Sequence, residues 1–86
     1  MDINKKRPDI DYPTEWQYKI IGLNIDDMLS AVEESIKGLE YKVSPSNVSS
    51  NDKYFSLNVV LIVPSELIRD LIFQNLSKHP AIKFVI

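Results

Sequence analysis

The stretch that decides the fold is YFSLNVVLIVPSELIRDLIFQNL, residues 54–76. Up to Val63, apolar residues recur at every second position, which is typical of a β-strand. After Pro64 and Ser65 they recur every three to four positions, which is typical of an amphipathic helix with Ser65 as its N-cap. The stretch therefore predicts a strand followed at once by a helix, and its length and β-branched residues indicate a central strand.

The first half of the chain shows the same change of period. A strand over residues 16–23 is predicted to turn Trp16, Tyr18 and Ile20 towards the helices, and Asn24 is the expected N-cap of the helix that follows. We expect each helix to bury one apolar stripe. The predicted stripes are Ile25, Met28, Leu29, Val32 and Ile36 in the first helix, and Ile68, Leu71, Ile72 and Leu76 in the second.

Two further strands complete the pattern. One begins at Tyr41 and meets Pro45, which indicates an edge strand because proline lacks an amide donor, and the other covers residues 82–86. Since strand–helix–strand crossovers are right-handed, the order βαββαβ predicts a ferredoxin-like α+β fold. This fold is a four-stranded antiparallel sheet in the order 4-1-3-2, with two helices on one face. Residues 1–13 are predicted to be a flexible leader, and residues 14–86 the domain.

The other face of the predicted sheet carries no helix. We expect it to display Gln17, Lys19, Ile21, Tyr54, Ser56, Asn58, Val60, Ile62, Lys83 and Val85. Exposed apolar residues of this kind usually mark contact surfaces. The polar band Lys19, Tyr54, Ser56 and Asn58 is the candidate centre of that binding surface.

Composition excludes several functional classes. The chain of 86 residues has no cysteine and a formal net charge of −2, so disulfide scaffolds and thiolate chemistry are absent and no basic field attracts nucleic acid. Only one aromatic residue, Tyr54, is expected on the open face, with Phe55 turned to the core, which is too few for stacking RNA bases. No apolar run is long enough to span a membrane. We expect a cytoplasmic protein.

Catalytic and metal motifs are also missing from the sequence. The single histidine, His79, is expected to be a solvated residue at a helix end, so no histidine triad or multi-histidine metal site can be built. The two glycines, Gly22 and Gly38, form no phosphate-binding loop. The adjacent pairs Asp26-Asp27 and Glu33-Glu34 point in different directions on a helix. We therefore expect a protein that is not an enzyme and has no cofactor.

Several short segments resemble the small bacterial YbeD-like domain of unknown function. They are Tyr12-Pro13-Thr14, Tyr18-Lys19-Ile20-Ile21-Gly22, Val48-Ser49-Ser50, Lys53-Tyr54-Phe55-Ser56 and the apolar C-terminal strand. The sequence departs from the pattern at Asp52, where a glycine often lies. The resemblance implies the same ferredoxin-like fold and a similarity to regulatory ACT domains, with no established activity.

Two functional hypotheses remain open at the level of sequence. The first is an interaction module that contacts an unknown protein, or itself, through the open sheet face or the edge strands. The alternative, implied by the similarity to ACT domains, is a regulatory domain that binds a small metabolite at a subunit interface. In that case Gly22, Leu23 and Asn24 would form the ligand loop, with backbone donors near the helix N-terminus.

Overall fold

The computed structural model describes residues 10–46 and 53–86, and the elements follow the predicted order. They are strand β1 at Thr14–Gly22, helix α1 at Ile25–Ser35, strand β2 at Tyr41–Pro45, strand β3 at Phe55–Val63, helix α2 at Glu66–Lys78 and strand β4 at Phe84–Val85. Residues 1–9 of the predicted leader lie outside the described part, as do Val48, Ser49, Ser50 and Asp52. No helix within residues 10–46 and 53–86 is both long and apolar enough to cross a membrane.

The four strands form one antiparallel sheet in the order β2-β3-β1-β4. This is the predicted order 4-1-3-2, read from the opposite edge. The central pair, β1 and β3, runs from Thr14 opposite Val63 to Gly22 opposite Phe55. β2 is an edge strand, as Pro45 predicts. The ferredoxin-like α+β fold is therefore confirmed.

The core lies between the sheet and the two helices. Tyr18 and Ile20 of β1, Val59 of β3, Val32 of α1 and Leu76 of α2 are all at most 2 % exposed. Along β1 and β3 the core-facing side chains alternate with side chains on the open face, as the period of two predicts. The strand phase predicted for β1 and β3 is thus confirmed. Phe55, at the start of β3, is an exception, because it is 41 % exposed.

The buried stripes of the helices differ from the predicted ones. Ile25 and Leu29 of α1 are 39 % and 40 % exposed, and Leu71 of α2 is 47 % exposed. In α1, the small residues Ala31 and Ser35 are buried instead. Small side chains let a helix lie close to the surface beneath it, because the packing distance depends on the side chains at the contact. Hydrophobicity alone therefore misplaced the buried face.

Strand β4 is shorter than predicted and has the opposite phase. Val85 pairs with Ile20, and Phe84 pairs with Ile21. Directly paired residues of an antiparallel sheet lie on the same face, so Val85 faces the helices and Phe84 faces the open side. The prediction that Val85 lies on the open face is wrong. The two residues of β4, Phe84 and Val85, are both apolar, so they do not indicate which of them faces the helices.

Candidate functional site

The open face of the sheet brings most of the candidate polar band together. Lys19 of β1 is the direct cross-strand partner of Asn58 of β3, and the next pair on this face joins Ile21 to Ser56. Lys19, Ser56 and Asn58 are all partly exposed. Three of the four predicted band residues are therefore neighbours on the two central strands.

Tyr54 lies at the margin of this band. It immediately precedes β3 and is 40 % exposed. The Nζ atom of Lys53 lies 6.0 Å from the centroid of the Tyr54 ring, the outer limit of a cation–π contact. Tyr54 thus extends the band towards the loop between β2 and β3, beyond the last paired residues of β1 and β3, Gly22 and Phe55.

Two oxygen atoms in the band lack hydrogen-bond partners. The hydroxyl oxygen of Ser56 and the side-chain carbonyl oxygen of Asn58 are inaccessible to solvent and have no partner. An unsatisfied buried polar group costs about 1–3 kcal/mol. Both atoms are already covered in the free protein, so docking of a partner onto the face does not by itself satisfy them.

Exposed apolar side chains lie at both ends of the band. Ile62, beside Glu15, is 55 % exposed, and Phe84, beside Ile21, is 59 % exposed. Ile86, at 72 % exposure, exchanges two backbone hydrogen bonds of 3.2 and 2.8 Å with Lys19 and so extends the second apolar end. The open face therefore combines a polar centre with apolar ends.

A shallow cavity of about 290 Å³ lies at the Ile62 end. Its lining is Glu15, Glu40, Tyr41, Lys42, Val60, Leu61 and Ile62. Glu15 and Lys42 give the rim charges of both signs, and Val60 and Ile62 give it an apolar wall. A site of this kind can hold a side chain of a partner that carries both an apolar and a polar group.

The alternative ligand loop is built mainly from residues with structural roles. A Cβ atom at Gly22 would lie 2.6 Å from the carbonyl oxygen of Ala81, so the backbone at Gly22 is in close contact with the segment before β4. The Asn24 side chain accepts a hydrogen bond of 2.9 Å from the Asp27 amide and caps α1. Leu23, between them, is 46 % exposed. The close contact at Gly22 and the use of the Asn24 oxygen by the helix cap leave little of this loop for a ligand.

His79 is not the solvated residue that the sequence predicts. Its Nδ1 accepts a hydrogen bond of 3.1 Å from the Ala81 amide, and its Nε2 lies 2.8 Å from Glu34 Oε1. Since Nδ1 accepts, the proton of the neutral ring is on Nε2 and is donated to the Glu34 carboxylate. His79 therefore links the end of α2 to α1. Among residues 10–46 and 53–86, no three His, Asp or Glu side chains are grouped to hold a metal ion.

Arg69 is the centre of a cluster that the sequence analysis missed. Its guanidinium carbon lies 4.7 Å from the centroid of the Trp16 ring, and its Nη1 donates a hydrogen bond of 2.9 Å to the Tyr12 hydroxyl. The Tyr18 hydroxyl donates a bond of 2.6 Å to the Arg69 carbonyl oxygen. In the sequence, Arg69 lies between Ile68 and Ile72, two residues of the predicted buried stripe. Its distance of three residues from Ile72 was a signal that the Arg69 side chain points towards the sheet. These contacts hold α2 against β1 and against Tyr12, which precedes β1.

Comparison with known proteins identifies the family. Residues 7–86 match the family model described as a protein of unknown function (DUF493). The chain belongs to the DUF493 family. A protein of Leptothrix cholodnii named as a UPF0250 protein is 26 % identical to this chain over 89 residues. The alignment covers 99 % of this chain and 98 % of that protein. The resemblance to YbeD-like proteins is thereby confirmed.

The chain is also similar to a further bacterial protein and to a solved structure. An uncharacterised protein of Campylobacter jejuni, Cj0253, is 40 % identical over 83 residues, which are 95 % of this chain and 92 % of that protein. The solution structure of HP0495 from Helicobacter pylori is 30 % identical, with a TM-score of 0.81 over all of this chain and 94 % of that one. HP0495 therefore shares the fold of this chain.

Proposed function

We propose that this member of the DUF493 family is a non-enzymatic protein-interaction module whose open sheet face binds the partner. The observation that carries the proposal is the composition of that face. Ile62 and Phe84 are more than half exposed at opposite ends of the polar band. A bound partner would bury these apolar side chains.

The dimensions of the face set the strength of such an interaction. Strands of nine, nine, five and two residues, about 4.8 Å apart and about 3.4 Å long per residue, give an area of roughly 400 Å². A standard protein interface buries about 800 Å² on each partner. The face is therefore smaller than a standard interface, as many transient contacts are.

The ACT-like alternative, a metabolite bound at Gly22, Leu23 and Asn24, has less support. Gly22 is in close contact with Ala81, and the oxygen of Asn24 is used by the helix cap. Affinity capture distinguishes the two hypotheses, because mass spectrometry of the retained material detects small molecules as well as proteins.

The test is affinity capture from the source organism, with mass spectrometry of retained proteins and metabolites. Phe84→Ser should reduce capture of a reproducible protein partner by tenfold or more, about 1.4 kcal/mol, and so should the double substitution Lys19→Ala with Tyr54→Ala. Phe73→Ser is the matched control, because Phe73 is also partly exposed, at 44 %, but lies on α2.

Equal losses in Phe84→Ser and Phe73→Ser would contradict the proposal, as would unchanged capture by Phe84→Ser. A reproducible metabolite that is lost with Asn24→Ala, and retained with Phe84→Ser, would favour the ACT-like alternative. Circular dichroism of each variant establishes that the fold is intact.

A further inference from the structure

The outer edge of the central strand β1 is paired over only part of its length. β1 has nine residues, but β4 pairs with Ile20 and Ile21 alone. Ile86 then exchanges two backbone hydrogen bonds with Lys19. Beyond Lys19, towards Thr14, no described residue is paired with β1 on this side of the sheet. The first half of β1 is therefore an open strand edge.

The backbone of this edge points outwards at Glu15 and Gln17. In an antiparallel sheet, the N–H and C=O groups of one residue point to the same neighbour, and successive residues alternate between the two neighbours. Lys19 directs both groups to Ile86. Gln17 and Glu15 therefore direct theirs to the same side, away from β3.

These outward groups are open to a neighbouring chain. Glu15 and Gln17 are both exposed. Within residues 10–46 and 53–86, their backbone N–H and C=O groups have no hydrogen-bond partner. The edge therefore presents a donor and an acceptor at each of two positions, about 7 Å apart along the strand.

We propose that an extended segment of a partner protein adds to this edge as a short β-strand, antiparallel to β1 and in line with β4. Another extended main chain presents donors and acceptors at the spacing of a strand edge. The added segment exchanges a pair of backbone hydrogen bonds with Gln17 and another pair with Glu15. The edge is a different surface from the open face, so this inference goes beyond the proposed function.

The side chains around the edge indicate the sequence of that segment. Its residues opposite Gln17 and Glu15 lie on the open-face side, and the residue between them lies opposite Trp16 on the helix side. A basic residue suits the position opposite Glu15, because opposite charges at paired positions stabilise a sheet. Trp16 is only partly buried, so an apolar residue opposite it covers the remaining indole surface. The segment therefore has the pattern polar, apolar, basic.

A second copy of this chain does not fit the same edge. To use these groups, two β1 edges related by a two-fold axis must pair Glu15 with itself, Glu15 with Gln17, or Gln17 with itself. The first register places like charges directly opposite each other, which destabilises a sheet. The other two registers place Pro13 or Glu15 of the second copy opposite Lys19, where Ile86 already lies. The edge is therefore matched by a segment of a different protein.

Nuclear magnetic resonance of the ¹⁵N-labelled full chain tests the proposal with a synthetic probe. The probe is the peptide acetyl-Thr-Val-Lys-Val-amide at millimolar concentration, whose threonine and lysine pair with Gln17 and Glu15. The amide signals of Gln17 and Glu15 should shift several times more than those of Trp16 and Tyr18, which alternation directs to β3. Methylating the backbone nitrogens of the threonine and the lysine should abolish these shifts, because it removes the donors that face β1. Methylating those of the two valines is the matched control and should preserve the shifts, because these donors face away.

Three results of the titration would overturn the proposal. The first is the absence of shifts at Gln17 and Glu15, and the second is equal shifts with the two methylated peptides. The third is shifts of the same size at Tyr41 and Val43, because the peptide would then add to the edge of β2 as readily as to that of β1.

Hydrogen exchange of the free full chain provides a second measurement. The Gln17 and Glu15 amides should exchange many times faster than the Trp16 and Tyr18 amides, because only the latter pair is bonded within the sheet. Slow exchange at Gln17 in dilute protein would overturn the proposal, because the chain itself would then fill the edge. Slow exchange that appears only at high protein concentration would also overturn it, and would assign the edge to a second copy.

Discussion

Replacing Gly22 by alanine should destabilise the fold, because β1 passes too close to its neighbours to carry a side chain there. The new Cβ atom would lie 2.6 Å from the carbonyl oxygen of Ala81 and 2.9 Å from the Cγ and Sδ atoms of Met28. Met28 is fully buried, and Ala81 leads into β4. Neither neighbour can move away without disturbing the core or the edge of the sheet.

The expected loss follows from two opposing effects. Overpacking of this kind lowers the free energy of unfolding by about 1–3 kcal/mol. Replacing glycine by alanine also restricts the unfolded chain, which raises the free energy of unfolding by about 0.4–1 kcal/mol. The net loss should be about 1–2 kcal/mol, which for a domain of this size lowers the melting temperature by roughly 5–15 °C. Urea unfolding followed by circular dichroism measures it directly.

Gly38 supplies the matched control, because its constraint is of a different kind. Its φ is +83°, and nothing lies within 4 Å of a Cβ atom placed there. Asparagine tolerates positive φ better than alanine does, so Gly38→Asn should be more stable than Gly38→Ala. At Gly22 the order should be reversed, because the larger side chain clashes more. A Gly22→Ala variant as stable as the parent would refute the reasoning and return Gly22 to the candidate ligand loop.

Three further predictions concern the clusters around the core. Trp16→Ala should cost about 3 kcal/mol in urea unfolding, because the indole packs against the core; a loss below 0.5 kcal/mol would mean that the ring has no structural role. Burial raises the pKa of Tyr18 to about 12, so between pH 10 and 12 the unfolded tyrosine ionises first and the parent loses stability. Tyr18→Phe should lose about 2–3 kcal/mol less over that range, and equal slopes would contradict this. Glu34→Gln should lower stability by about 0.5–1 kcal/mol through its bond to His79, whereas Glu33→Gln should not; similar melting temperatures for the two variants would count against that link.

The parts of the fold that follow from sequence are those with strong local signals. β3 alternates over nine residues, Pro45 marks an edge strand, and the side chains of Asn24 and Ser65 cap the helices as predicted. Each of these signals depends on residues close together in the chain. Once the strands and helices are placed, the right-handed crossover rule fixes the order of the sheet. The candidate band followed for the same reason, because the phase of β1 and β3 determines which side chains share a face.

The features that escaped prediction depend on contacts between distant parts of the chain. Tyr12 and Arg69 are 57 residues apart, and Tyr18 and Arg69 are 51 apart, so no local pattern reveals their contact. The phase of β4 is set by its pairing with β1, since its two residues, Phe84 and Val85, are both apolar. The rotation of α1 depends on the small residues Ala31 and Ser35, which a hydrophobic pattern does not identify as buried.

The strand order has a consequence for the synthesis of the protein on the ribosome. β1 lies between β3 and β4 in the sheet, so the strand made first has neighbours that are made last. The sixty or so residues from Gly22 to Phe84 take roughly 3–12 s to translate. Throughout that interval the core-facing residues of β1, Trp16, Tyr18 and Ile20, cannot become part of a complete sheet. β1 is paired on both sides only after β4 has been synthesised.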